Sequence, residues 1–282
     1  MILSTLDKSR KGGAYEQIPS LVLGQRWTPQ LNSRNMMKVV LCVWIEPYIE
    51  NDLSFCVWPV HTPTTSKEVL TLSASTSPLP YTGNKSCIVN TILSVMPKHT
   101  VYIDPCMGSA EVFFRKPRAE KEILNDYNGD LVNLFRVIQN NEKLAYLLGR
   151  LYLSINGELA FKQNKDRLKG VPNILDDVIE TSQIFYDASW EDIQNAAAFL
   201  ENQVYSFSST GQTFGIARRD MSQRLPRLMS AYNRIRDAII LHRDYKDVIT
   251  YAACPGSFIL LDPPYKGTED MYSKANFDIE QH

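Results

Sequence analysis

The spacing of apolar residues changes character several times along the chain, and each change predicts an element. In NKSCIVNTILSVMP, Ile88, Ile92 and Val95 recur at helical spacing and the run stops at Pro97, which predicts a short helix. TVYID at 100–104 has strand length and is followed by the glycine-bearing turn PCMGSAEVFF, and KEILND at 121–126 repeats the strand pattern. Within 128–140, Leu131, Leu134, Phe135 and Ile138 fall at i, i+3, i+4 and i+7, the stripe of an amphipathic helix. Residues 141–205 keep a mostly helical pattern, with a start signal at 187–189 before WEDIQNAAAFLENQVY. AIILHRD at 238–244 and SFILLD at 257–262 return to strand. Strands alternating with helices predict an α/β domain with a mostly parallel sheet, interrupted by a helical insertion at 141–235.

The first 76 residues have a different texture. Residues 36–45 could form a strand, but no amphipathic helix of useful length is visible. The stretch 61–80 is rich in Ser, Thr and Pro and reads as a linker. Residues 1–76 are therefore expected to be a poorly ordered or unrelated extension.

Composition adds constraints rather than elements. With 44% hydrophobic and 22% charged residues over 282, the chain reads as a soluble globular protein. No apolar run reaches the roughly 18 residues of a membrane span, and the first residues lack the order of a signal peptide. The five cysteines are scattered, without paired spacing, which points to reduced thiols in a cytoplasmic protein and to no metal site. A net charge of −1 means that any nucleic-acid surface must come from local clustering.

Two stretches carry candidate chemistry. DPCMGSA at 104–110 joins a strand to a helix, the place where open α/β sheets bind ligands. Gly108 would let a ligand approach the backbone, and Asp126 ends the next strand 18 positions later, where an acid can accept hydrogen bonds from ribose hydroxyls. The dinucleotide pattern is absent, because Ala110 stands where a second glycine would be. The second stretch is Asp262-Pro263-Pro264-Tyr265 at a strand tip. Two prolines fix φ and donate no hydrogen bond, so Asp262 and the Pro263 carbonyl form a stiff wall of acceptors. Such a wall suits an amino group, and Tyr265 offers a face on which a planar ring can stack. That is amino-group chemistry on a base, which in a duplex must first be flipped out of the stack.

From Tyr81 onward the chain resembles the DNA adenine methylase family, the Dam-like S-adenosylmethionine-dependent N6-adenine methyltransferases. YTGNKS is similar to that family's amino-terminal motif, DPCMGSAEVFF to its cofactor motif, ILNDYNGDLVNLFRVI to its ribose motif and LLDPPY to its catalytic motif. YSKANFDIEQH fits the stretch that follows. The resemblance implies a Rossmann-like methyltransferase sheet with a helical DNA-recognition insertion, its catalytic domain formed by 77–140 and 236–282. It implies that Tyr81, Lys85, Asp104, Gly108 and Asp126 contact S-adenosyl-L-methionine. Asp262, Pro263 and Tyr265 are implied to hold the target adenine, with Asp262 also near the cofactor. The implied substrate is double-stranded DNA with a flipped adenine, and a cognate restriction system is an implied partner.

Residues 216–243 hold seven arginines and two aspartates, a concentration that fits a phosphate-contacting face, with Arg218, Arg219, Arg224 and Arg227 as candidates. Residues 201–215 fall where the family has a conformable loop near the target base. Two features depart from the family. Ala110 replaces a motif glycine and is expected to crowd the cofactor. Only 17 residues follow Tyr265, so the sheet is expected to be incomplete at that end, with strand 257–261 at an open edge. A truncated, weakly active or inactive DNA- or cofactor-binding remnant, and a methyltransferase acting on an RNA base or a protein amide, are the alternative readings.

Overall fold

A computed structural model describes residues 41–45, 55–58, 76–176, 189–217 and 219–263. Two strands come first, β1 (Leu41–Ile45) and β2 (Phe55–Trp58). Then follow α1 (Val89–Val95), β3 (Val101–Asp104), α2 (Glu111–Arg115), β4 (Lys121–Asn125) and α3 (Gly129–Gln139). Helices α4 (Asn141–Tyr152), α5 (Glu158–Lys169) and α6 (Trp190–Tyr205) make up the next block. The chain continues through α7 (Leu225–Ile235), β5 (Ile239–Leu241), α8 (Tyr245–Ala252) and β6 (Ser257–Leu261).

The sheet runs β2-β1-β6-β3-β4-β5. Strands β6, β3, β4 and β5 are parallel, and β1 pairs antiparallel with both β2 and β6. The catalytic-motif strand thus lies beside the cofactor-motif strand, as its sequence predicts, with Tyr102 opposite Phe258 and Ile103 opposite Ile259. The expected open edge at 257–261 is not found. Strand β6 is flanked by β3 on one side and by β1 on the other, so its backbone groups are paired in both directions.

Period-two alternation sends strand side chains to two cores. Tyr102, Leu124, Ile240, Phe258 and Leu260 face the larger one, which extends through α1, α2, α3, α4, α6 and α7. Ile103, Ile123, Leu241 and Ile259 face the other, covered by Val248 and Ala252 of α8. Covering both faces is what lets these strands carry apolar residues on both sides at their centres.

Helix α3 starts where Asn128 accepts from the Asp130 amide at 3.1 Å. Its predicted stripe is buried, but so are Asp130, Val132, Arg136 and Val137. One amphipathic face was expected; both are covered because the helical block packs on the side away from the sheet. Helix α6 begins at the predicted signal, with a reciprocal capping box between Ser189 and Asp192. The linker reading of 61–80 fails at its end: Ser77 and Leu79 are buried. Ser77 Oγ donates to the Ser109 carbonyl at 2.6 Å and its amide to Glu111 at 3.2 Å, which ties this segment to the cofactor-motif turn.

Ala110 gives a different result from simple crowding. It is buried and adopts φ 54°, ψ 31°, the left-handed conformation. An L-residue pays roughly 1–2 kcal/mol there, whereas glycine does not. After allowance for the extra freedom glycine gives the unfolded chain, Ala110→Gly is expected to stabilise the fold by about 0.5–1 kcal/mol. Urea unfolding measures this, and a lower midpoint for the variant would refute the strain.

Candidate functional site

The carboxyl ends of β3, β4 and β6 bring together side chains that are far apart in sequence. Lys85, largely buried, forms an ion pair with Asp262 at the tip of β6 and donates to the Gly83 carbonyl at 2.8 Å. Asp104 ends β3, is 2% exposed, and accepts from the Tyr102 hydroxyl at 3.0 Å. Asp126 follows β4. One of its oxygens accepts from the Gly108 amide at 3.0 Å and the other from the Asn128 amide at 2.9 Å. Gly108 has φ 48°, and a Cβ there would lie 3.7 Å from the Tyr81 ring. The Tyr81 hydroxyl in turn accepts from Asn128 Nδ2 at 3.5 Å.

The site is rich in acid. Burial pushes the Asp104 carboxyl up to about 8, with Asp262 and Asp126 adding to the rise and the Tyr102 hydroxyl opposing it. Burial likewise raises Asp126 to about 6, against the hydrogen bonds from its neighbouring amides. Cys106, in the same turn, has its thiol pushed well above the ordinary range by burial and then by the surrounding carboxylates. Three carboxyl groups, those of Asp104, Asp126 and Asp262, thus meet at this end of the sheet, and Lys85 pairs with that of Asp262. Among the described residues no group of His, Cys, Asp and Glu is arranged to hold a metal ion.

Tyr81, Lys85, Asp104, Gly108, Asp126, Asp262 and Pro263 therefore share one end of the sheet. Pro264 and Tyr265 lie outside the described residues, as does Arg218. The arginine run divides. Arg234 is buried against Glu122 and Arg243 donates to the Asp176 carbonyl, so these two serve the fold, while Arg236 is exposed beside Asp237. Arg227 is exposed, and Arg219 donates to the Val204 carbonyl at 2.5 Å. Burial draws Arg224 below its ordinary value, and the charges of Arg227 and Arg219 reinforce this, which marks the three as one positive cluster. The loop after α6 is tight: Phe207 donates to the Thr213 carbonyl at 2.8 Å, and Ser208, Ser209 and Gly211 all have positive φ.

Sequence reasoning did not find Tyr102, Asn125 or Asn128. Asn125 Nδ2 donates to the carbonyls of Pro105 and Arg243, both at 2.9 Å, and so locks β3, β4 and β5 together at this end. Its position as a polar residue directly after the apolar pair Ile123–Leu124, at the strand's end, was the available signal.

Residues 81–282 match the sequence model of the D12 class N6 adenine-specific DNA methyltransferases. The chain belongs to this family. The chain is 25% identical over 210 residues to Modification methylase StsI of Streptococcus sanguinis, covering 70% of this chain and 30% of that protein. It is 23% identical over 192 residues to Type II methyltransferase M1.LlaDCHI of Lactococcus lactis subsp. cremoris (66% of this chain, 64% of that protein). Type II methyltransferase M.CviBI of Paramecium bursaria Chlorella virus NC1A is 22% identical over 186 residues (65% and 66%). The chain thus spans from about a third to just under two thirds of the length of these relatives. The D12 match begins at Tyr81, the first residue of the YTGNKS motif.

Proposed function

We propose that the chain transfers a methyl group from S-adenosyl-L-methionine to the N6 amino group of adenine in double-stranded DNA. The observation that carries this reading, beside family membership, is the convergence of Lys85, Asp104, Gly108, Asp126 and Asp262 at one end of the parallel sheet. The donor set fits the cofactor: its sulfonium and ammonium are cations, and its ribose hydroxyls donate hydrogen bonds. Burial raises Asp104 to about 8 and Asp126 to about 6, and a cation bound beside them favours their ionised forms. In this reading Asp126 accepts from the ribose, Gly108 gives the ligand room, and the Tyr81 ring walls the opposite side. When bound, the cofactor supplies an electrophilic methyl group.

The residues of this chain then orient the nucleophile. A flipped adenine presents its amino hydrogens to Asp262 and the Pro263 carbonyl, and its ring stacks on Tyr265. Accepting both hydrogens favours a pyramidal nitrogen whose lone pair is freed from the ring. Lys85 holds the Asp262 carboxylate in place through the ion pair. The rate gain is one of positioning and electrostatics, without a covalent intermediate on the protein. Residues 77–140 and 236–282 form the catalytic part, and the insertion 141–235 reads DNA. The type II methyltransferases among the relatives support a pairing with a cognate restriction system.

Mapping N6-methyladenine in DNA from cells that express the chain tests this, with the expectation of methylation in one defined sequence context. Purified chain that methylates RNA in preference to DNA, or neither with labelled cofactor, would overturn it. The positive cluster supplies the phosphate contacts. Arg227→Ala is expected to weaken DNA binding uniformly across sequences and to reduce the slope of log K against log salt by about 0.9. Titrations at several salt concentrations measure that slope, and an unchanged slope would remove Arg227 from the DNA face.

A further inference from the structure

The segment that follows α5 returns from the insertion to the sheet, and its contacts converge on the turn that carries Asp126. Asn173 Oδ1 accepts from the Gly129 amide at 2.8 Å, while Asn173 Nδ2 donates to the Tyr127 carbonyl at 2.9 Å. His242, buried at the end of β5, brings Nε2 to 3.1 Å from both the Tyr127 carbonyl and Asn173 Oδ1. Both partners are acceptors, so this nitrogen carries the hydrogen. Asp176 anchors the segment. It accepts from Arg136 at 2.6 Å and from the His242 amide at 3.1 Å, and its own amide donates to the His242 carbonyl at 2.9 Å.

Gly129 shows how close this docking is. A Cβ there would lie 2.7 Å from Asn173 Oδ1 and 2.9 Å from the His242 ring. Glycine at this position answers a need for space. The turn at 127–129 is thus held from both sides: Asp126 accepts the Asn128 amide within it, and Asn173 with His242 binds its outer carbonyl and amide. Without the outer contacts the turn's polar groups would exchange with water, and the Asp126 carboxylate would lose its fixed direction.

We propose that Asn173 and His242 are positioning residues for the cofactor's ribose site, so that a segment of the helical insertion sets cofactor affinity. This rests on the reading of Asp126 as the ribose acceptor. Calorimetric titration of the full chain with S-adenosylmethionine tests it, beside urea unfolding and DNA binding. Asn173→Ala is expected to raise the cofactor Kd about tenfold and to speed hydrogen exchange at the Gly129 amide, with DNA affinity held. Asn173→Asp keeps the acceptor for the Gly129 amide but turns a second oxygen toward the Tyr127 carbonyl, so it is expected to restore slow exchange at that amide without recovering the cofactor Kd. An unaltered cofactor Kd in Asn173→Ala refutes the positioning role, as does a fall in cofactor and DNA affinity together with the unfolding midpoint. A parent chain that does not bind S-adenosylmethionine overturns the cofactor reading itself and this inference with it.

Discussion

An Asp262→Ala chain is expected to lose at least about 10³-fold in the rate of methyl transfer to adenine. The side chain stands at the tip of β6, beside the end of β3, and is paired with Lys85. On the proposed mechanism its removal takes away the acceptor that aims the amino group, and it leaves Lys85 without that carboxylate in a largely buried position. Asp262→Asn keeps the shape and one acceptor oxygen but not the charge, so its loss should be smaller. Single-turnover methylation with labelled cofactor separates this from binding, since cofactor and DNA affinities are measured beside it. Residual activity of Asp262→Ala within about tenfold of the parent would end the assignment of Asp262 to the chemistry.

The largest stability effect is expected at Glu122, away from the site. Its carboxylate accepts from Lys116 at 2.6 Å, from the Ala119 amide at 3.1 Å and from both terminal nitrogens of Arg234, at 2.5 and 2.8 Å. Lys116 lies over the Tyr102 ring and Arg234 over the Phe113 ring, so both cations are committed to the core. Glu122→Ala leaves two buried cations facing each other and is expected to cost about 3–5 kcal/mol. Urea unfolding checks this, and a cost below about 1 kcal/mol would refute it. Burial by itself would raise the Glu122 carboxyl, but Arg234 and Lys116 outweigh it and hold the group below its ordinary value. At Lys116 burial wins instead and pushes the group down to about 8, since the one carboxylate is shared between two cations. For Glu122 the linkage sign follows: its stabilisation is fully present above the ordinary value of 4.5 and is lost as pH falls through the lower folded value.

Much of the fold was legible because local patterns and tertiary environment agree. The strands at 101–104, 121–125 and 257–261 are short segments with apolar centres whose two faces are both covered, and Ser189 marks the start of α6 by its own hydrogen bond. The grouping of 81–126 with 262 at one end of the sheet was legible because the strand–glycine–helix–strand–acid order and the prolines at a strand tip occur in one chain. Other features were hidden because they depend on partners far away in sequence. Which arginines face solvent could not be read from the run itself: Arg234 serves Glu122, 112 positions away, while Arg227 is exposed. The pairing of β1 with β6 was also out of reach, since strand propensity at 41–45 does not name a neighbour.

By itself the sequence determined the alternation of strands and helices, the glycine turn after β3 and the Asp-Pro tip of β6, because each rests on a few adjacent residues. Only the tertiary structure decided that Lys85 pairs with Asp262, that Ala110 takes a left-handed conformation, and that Asn173 and His242 grip the turn after Asp126. These depend on distances between segments that the chain brings together only when its cores close. No local pattern encodes such a distance; it is set by how the helices pack on the sheet.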